Sequence, residues 1–413
     1  MLLLSLSLFF LLVALFKADP KVCTALYKVI DENCPANAVI QEILNDERPE
    51  PTKRESNWGI VDTDRLLISR SQAFEVGTGL GNRLFAVMST FGIANKLNRQ
   101  AIFPARHELC TWHCIEALWE ISTLFPGLIP EKAIDVSARH TKNLYDELVI
   151  NECCLYIDPF KRHFPIQQQQ QTLRFYGSFI QSYKYFIDYQ DEYEPILKSG
   201  LKAFAKLSAS MAPIEVIDPG ATRICLHTRR GGFTGDFHQA SNPTFLRNTI
   251  QHFSKPKNRR NGIKKRQIKE FNVVKKSLFQ TFFDLSHGRK KRESNDDVQF
   301  LLFGDDVDWL RSIEAEMKIL NPNLHIVDQK GSPPVATWHF FSQYCDKVVI
   351  TASSSTFGWW AAYFSQLGRP NVEVYYNKRF AKSAAYLTQQ KDEDFFLPNW
   401  IPLDLENGND KRK

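Results

Sequence analysis

The sequence predicts an α/β protein of two domains, each built on a parallel sheet. Three observations predict it. At 413 residues the chain is longer than one compact core comfortably holds. Over residues 65–103 a strand pattern, a glycine-rich loop, a helix pattern and a second strand follow one another, which is one βαβ unit. Past residue 220 the same logic repeats, in apolar runs that each end in polar residues or glycine. Apolar residues make up 43% of the chain and aromatic residues 13%, enough to fill such interiors and too many for an unfolded chain.

The chain starts with an uncharged run, Met1–Phe16, closed by Lys17. It has signal-peptide length and falls short of the roughly 20 residues a spanning helix needs. Residues 1–17 are therefore read as a signal peptide or a short signal anchor. The expected location is the secretory pathway: the Golgi membrane as a single-pass type II protein, the lumen, or outside the cell if the segment is cleaved. Residues 18–60, with Pro49-Glu-Pro51, read as a stem or linker.

Residues 61–215 form the expected N-terminal α/β domain. Arg65–Ser69 reads as a strand, Leu84–Leu97 as a helix, and Ala101–Phe103 as a strand ended by Pro104. Between the first two lies Gly77-Thr-Gly-Leu-Gly-Asn-Arg83. A glycine loop opening a helix presents free N–H groups to an anion or a sugar, so Gly79, Gly81 and Asn82 are candidates for an acceptor or loop role. The same glycines also suit a plain tight turn. The spacing is not Gly-x-Gly-x-x-Gly, so no dinucleotide fingerprint is present. Gln167–Gln171 reads as an exposed loop, 175–180 as a strand, 192–211 as helical and 213–220 as a domain boundary.

Residues 216–400 form the second expected domain, and 401–413 a polar tail. Strands are expected at 223–226, 298–303, 324–327, 347–350 and 372–376, with helices at 307–320 and 357–364. The insert 255–292 holds fourteen Lys and Arg against two acids, so the remaining chain is net negative although the total is +6. The insert reads as a solvated loop. A nucleic-acid patch fits its composition, but the secretory signal argues against it and no nucleic-acid partner is expected. Arg289-Lys-Lys-Arg292 also reads as a processing site for a basic-specific luminal protease, which an unbroken intact mass after secretion would refute.

Eight cysteines fit an oxidising route. Cys110, Cys114, Cys153 and Cys154 are disulfide candidates, and Cys225 is expected as a buried thiol in its strand. Cys110-Thr-Trp-His-Cys114 lacks a second ligand pair at zinc spacing.

The chemistry gathers at strand ends. Arg229 and Arg230 follow a strand directly, and guanidinium forks suit a pyrophosphate. Ser353, Ser354, Ser355 and Thr356 open a helix, where hydroxyls and N–H groups can hold a phosphate or a sugar hydroxyl, or serve as an ordinary N-cap. Asp305 and Asp306 suit ribose or sugar hydroxyls, or the capping of the helix that follows. No neighbouring His or carboxylate completes a set of hard metal ligands, so neither a metal nor any other cofactor is expected.

Four stretches resemble the galactoside alpha-1,2-fucosyltransferase family, glycosyltransferase family 11. Thr78-Gly-Leu-Gly-Asn-Arg-Leu-Phe85 is similar to its Gly-x-Leu-Gly-Asn-Gln-Met-Phe signature. His227-Thr-Arg-Arg-Gly231 is similar to the start of His-x-Arg-Arg-Gly-Asp. Phe303-Gly-Asp-Asp306 with Trp309 resembles Ser-Asp-Asp-x-x-Trp, and Ser353–Tyr363 resembles Ser-Asn-Ser-Thr-Phe-Ser-Trp-Trp-Ala-Ala-Tyr. The four occur in the family's order, over about Leu66–Tyr376. The resemblance implies a GT-B-like fold of two Rossmann-like domains, with a cleft between an acceptor-side and a GDP-fucose-side domain. It implies inverting, metal-independent transfer of L-fucose from GDP-fucose to the 2-hydroxyl of a galactose-terminated glycan. Arg229 would hold the diphosphate, Arg230 would support the pocket, and Ser353, Ser355 and Thr356 would lie nearby.

The sequence departs from that pattern at several positions. Gly232 stands where the motif has Asp, Ser354 where it has Asn, Gly304 where it has Ser, Arg83-Leu84 where it has Gln-Met, and Thr78 where it has Gly. His227 and Asp236 are the catalytic candidates, Asp236 taking over the vacant carboxylate role if its loop folds back. Two other classes of function stay open: a catalytically degenerate GDP-sugar-binding homologue, and a secreted heparin- or sulfate-binding protein acting through the insert.

Overall fold

The computed structural model of the protein describes residues 58–75, 78–105, 112–135, 147–162, 171–211, 220–254, 298–329 and 332–405. The targeting segment, nearly all of the stem, the boundary interval 213–219, most of the glutamine run, the basic insert with Arg289–Arg292, and Cys23, Cys34 and Cys110 lie outside these residues.

Two sheets carry the fold. The first holds β1 (Leu66–Ser71), β2 (Gln100–Pro104), β3 (Ile134–Asp135), β4 (Glu147–Ile150) and β5 (Thr172–Gly177), in the order β3-β2-β1-β5-β4. The second holds β6 (Thr222–Thr228), β7 (Val298–Gly304), β8 (Leu324–Ile326), β9 (Lys347–Ile350), β10 (Glu373–Asn377) and β11 (Ile401–Leu403), in the order β11-β10-β9-β6-β7-β8. Every strand pairing in both sheets is parallel. The protein is thus an α/β fold with two parallel sheets, consistent with two Rossmann-like domains. In the second sheet the strand order reverses between β6 and β9. The ends of these strands diverge there into the crevice where open α/β sheets hold ligands.

The second sheet is apolar on both faces, as a covered parallel sheet requires. Ile224 and Leu226 of β6 pack with Phe300, Leu302 and Val349, whereas Cys225 faces the other way with Leu301, Phe303 and Val348. The longer helices are α1 (Leu80–Lys96), α2 (Trp112–Leu124), α3 (Gln190–Lys202), α4 (Ala205–Met211), α5 (Pro243–Ser254), α6 (Val307–Leu320), α7 (Pro334–Tyr344) and α8 (Thr356–Gly368). The single helix expected over 192–211 is two, α3 and α4, and the strand expected at 175–180 is β5, three residues earlier.

One core runs through both sheets, because α1 and α8 pack on each other between them. Phe85 lies 4.6 Å from Trp359 and 5.0 Å from Trp360, ring centre to ring centre. Trp58, assigned from the sequence to the stem, is fully buried against Phe91 and Tyr193, so the folded part begins earlier than expected. Ile401–Leu403, assigned to the tail, is instead the edge strand β11, paired with β10.

The cysteines bring one correction. Cys225 is not a free buried thiol but is disulfide-bonded to Cys345, just ahead of β9. Parity of the strand gave its burial, and nothing local could reveal a partner 120 residues away. Cys153 pairs with its neighbour Cys154, and Cys114 is disulfide-bonded. Among the described residues, no helix is long and apolar enough to cross a membrane.

Candidate functional site

β6 ends at Thr228, and the chain turns through Arg229, Arg230, Gly231 and Gly232. Two carboxylates at the end of the neighbouring β7 shape this turn. Asp305 accepts the backbone N–H of Arg230 at 2.9 Å and of Gly231 at 2.8 Å, and its Oδ2 pairs with Arg229 Nη1 at 3.1 Å. A Cβ on Gly231 would stand 2.5 Å from that oxygen, so the close approach requires glycine. Gly232 takes a φ of +73°, which glycine adopts without steric cost. Asp306 caps α6 by accepting the Trp309 N–H at 3.0 Å, and pairs with Arg230 Nε at 3.3 Å. Arg230 also lies 4.5 Å over the Trp309 ring and donates to the Ser241 carbonyl at 3.0 Å. Both carboxylates therefore orient arginines. Arg229 keeps 39% of its side chain exposed against 24% for Arg230, so the Arg229 fork is the one open to an incoming anion.

Hydroxyls tie the two diverging strands together. The Arg229 N–H donates to Ser241 Oγ at 2.9 Å, Ser241 Oγ lies 2.5 Å from Thr351 Oγ1, and Thr351 Oγ1 donates to the His227 carbonyl at 2.9 Å. A hydrogen-bond chain of this kind polarises along its length and stiffens the crevice floor.

Beyond β9 the turn Ser353–Ser355 leads into α8. Ser353 Oγ donates to the Asn377 carbonyl, Ser355 caps α8 by accepting the Gly358 N–H at 3.4 Å, and Ser354 Oγ lies 3.0 Å from His238 Nδ1. Thr356 Oγ1 donates at 2.8 Å to Asn82 Oδ1, which also accepts from Gln181 Nε2 at 3.0 Å. The glycine loop therefore meets the serine turn directly. Trp360 Nε1 donates to the Gly81 carbonyl at 3.0 Å, and a Cβ on Gly81 would stand 2.8 Å from the Thr356 backbone. Gly79 lies at the N-terminus of α1 and is exposed.

The two catalytic candidates sit differently. His227 is buried beside Phe357, ring centres 5.4 Å apart, and a Cβ on Gly358 would touch its Nδ1. Burial, and then Arg229, lower its pKa to about 4, so it is neutral at neutral pH. Asp236 lies on an exposed stretch beyond Gly232. Among the described residues, no three His, Cys, Asp or Glu side chains cluster closely enough to hold a metal ion.

The four motif stretches thus meet at one place, where β6 and β9 part and α1 abuts α8. The profile of glycosyl transferase family 11 matches residues 284–404. A galactoside 2-alpha-L-fucosyltransferase of Caenorhabditis elegans is 29% identical over 353 residues, covering 80% of this chain and 75% of that protein. A second galactoside 2-alpha-L-fucosyltransferase of the same organism is 26% identical over 351 residues, covering 84% and 82%. The chain is thus similar to glycosyl transferase family 11 over residues 284–404, and to these fucosyltransferases over most of its length.

The departures of this chain from the family's motifs have visible local consequences. Arg83, in the place of the motif's Gln, is buried and pairs with Glu120 at 2.6 Å; burial raises the Glu120 pKa, and Arg83 opposes that rise. Ser354, in the place of Asn, bonds to His238. Gly232, in the place of Asp, leaves the turn without that carboxylate. Ser241, Thr351, Gln181 and His238 were not singled out from the sequence. Ser241 and Gln181 are common polar residues with no motif around them, and Thr351 was read only as the start of the strand end that leads into the serine turn. The available signal for His238 was a histidine flanked by Phe233 and Phe237 just past the arginine pair.

Proposed function

We propose that the protein transfers L-fucose from GDP-fucose to the 2-hydroxyl of a galactose-type residue, with inversion and without a metal. The observation that carries this reading is the open fork of Arg229, held by Asp305 at the switch point. Negative charge grows on the departing diphosphate as the sugar carbon becomes oxocarbenium-like. A preset guanidinium and a helix N-terminus stabilise that charge without reorganising. The relatives named above, galactoside 2-alpha-L-fucosyltransferases by name, support transfer of fucose to a galactoside.

Arg229→Ala is the test. The variant is expected to lose about 100-fold or more of the transfer rate from GDP-fucose to a galactoside, the size typical of removing a charge-stabilising group. Unchanged turnover would defeat the reading. A second reading, a donor-binding homologue without activity, is favoured by one observation, Gly232 in the place of the motif carboxylate. Calorimetric GDP binding by a wild-type protein that transfers nothing across a panel of galactosides would establish it instead.

A further inference from the structure

Past Asp236 the loop returns to the site with a histidine that none of the four motif stretches contains. The His238 ring lies face to face with Phe233, centres 4.1 Å apart and planes 12° apart, and Phe233 lies under the Arg229 guanidinium at 5.5 Å. Its Nδ1 is 3.0 Å from Ser354 Oγ. Phe237 and Tyr386 meet the ring edge-on, at 4.9 and 5.4 Å. The backbone is fixed as well: His238 bridges to Ala381, and the N–H groups of Lys382 and Ser383 donate to the Phe237 carbonyl at 3.2 and 3.3 Å. His238 remains partly exposed, and its Nε2 makes no hydrogen bond among the described residues. Beside it Phe237, 51% exposed and stacked on Tyr386 at 4.5 Å, offers an apolar face on which the C–H side of a sugar ring can rest. A held imidazole with one open nitrogen thus stands between the arginine turn and the serine turn.

We infer that His238 is the general base of the transfer, its Nε2 taking the proton of the acceptor hydroxyl. This rests on the transferase reading above. In the step, the acceptor oxygen forms a bond to the anomeric carbon of the donor sugar. The bond from that carbon to the β-phosphate oxygen breaks, and its electron pair leaves with the nucleoside diphosphate beneath Arg229. The acceptor proton passes to His238 Nε2. The lone pair on Nε2 requires Nδ1 to carry the hydrogen, and Ser354 Oγ is placed to accept it. His227 is sealed under Gly358 and presents no open nitrogen. The charged and titratable groups facing His238 are Arg229 across Phe233, and Tyr386; Asp236 lies in its own exposed loop, and Lys382 Nζ donates to the Gly235 carbonyl at 2.8 Å. Burial, and then Arg229, lower the His238 pKa, so the ring stays neutral into mildly acidic solution and activity falls on the acid side of its pKa.

His238→Asn tests this, since an amide nitrogen replaces Nδ1 and can still donate to Ser354 while Nε2 is gone. Wild type is assayed first: if it transfers nothing to any galactoside, the transferase reading fails and takes the base with it. Given an active wild type, the variant is expected to bind GDP with unchanged affinity and to lose about 100-fold or more of kcat, the size of a general-base contribution. The acid limb of its pH–rate profile should vanish. Wild-type kcat with the acid limb intact overturns the proposal, and so does loss of GDP binding in the folded variant, which would make His238 a structural part of the donor site. If His238→Asn does not fold, Ser354→Ala replaces it. That variant keeps the ring but removes the Nδ1 partner that holds it in place, so kcat should fall with KM unchanged, and an unaltered kcat overturns the proposal.

Discussion

Gly232 is where a single residue separates the readings of this site. Its φ of +73° lies in the left-handed region, and a Cβ built on it would meet nothing within 4 Å. Aspartate tolerates this region better than most residues, so Gly232→Asp should fold at a cost of about 1 kcal/mol, the low end for a left-handed non-glycine residue. With His238 as the base, restoring the motif carboxylate should leave kcat unchanged. A steady-state comparison of the two proteins checks this. A rise of about tenfold, equivalent to about 1.4 kcal/mol in the barrier, would point to the missing carboxylate and away from His238. The turn around Gly232 is set without that group, because Asp305 already holds the backbone of Arg230 and Gly231.

At the scale of elements, the contact between α1 and α8 joins the glycine loop to the serine turn, and Gly81 is its tightest point. A methyl group there would stand 2.8 Å from both the backbone carbon and Oγ1 of Thr356, and 2.9 Å from the Phe357 nitrogen. Two of these are backbone atoms that cannot swing aside. Gly81→Ala should therefore push the helices apart, costing about 1–3 kcal/mol as overpacking does. It should also weaken the Thr356–Asn82 and Trp360–Gly81 hydrogen bonds. Chemical denaturation should show the lower midpoint; a midpoint equal to wild type would mean the contact is slack. Some elements could be read from the sequence and others could not, for reasons the packing makes plain. α6 shows its period because Leu310 and Met317 are buried while its other side is exposed. α7 is buried from Val335 to Ser342, so it has no polar face to mark a helical repeat. β3 and β11, at two and three residues, are too short for any pattern. The arginine turn and the serine turn were legible because each directly follows a buried apolar strand. His238 and Ser241 join the site only through the path of a loop, which local sequence does not encode.

At the scale of the molecule, the switch point between β6 and β9 is held by a covalent bond and by ion pairs. Cys225 and Cys345 lie 5.6 Å apart, Cα to Cα, and close a loop of 120 residues that includes α5, β7, α6, β8 and α7. Cross-linking so long a loop restricts the unfolded chain, and losing such a bond typically costs about 2–5 kcal/mol. The same strands are joined without sulfur. Asp346 accepts from the Arg223 N–H and Nε at 3.0 Å and from its Nη2 at 3.1 Å, and pairs with Arg369 at 3.5 Å. The native register should therefore survive removal of the disulfide. A Cys225→Ala/Cys345→Ala double variant should unfold about 5–15 °C lower, given the usual 2–4 °C per kcal/mol for domains of this size. Its GDP affinity at 25 °C should be unchanged, because neither cysteine touches the arginine turn. Equal melting temperatures for the two proteins would show that the bond contributes nothing to stability. Loss of GDP binding in the folded variant would show that the disulfide, and not the Arg223–Asp346 pair, sets the spacing of the crevice.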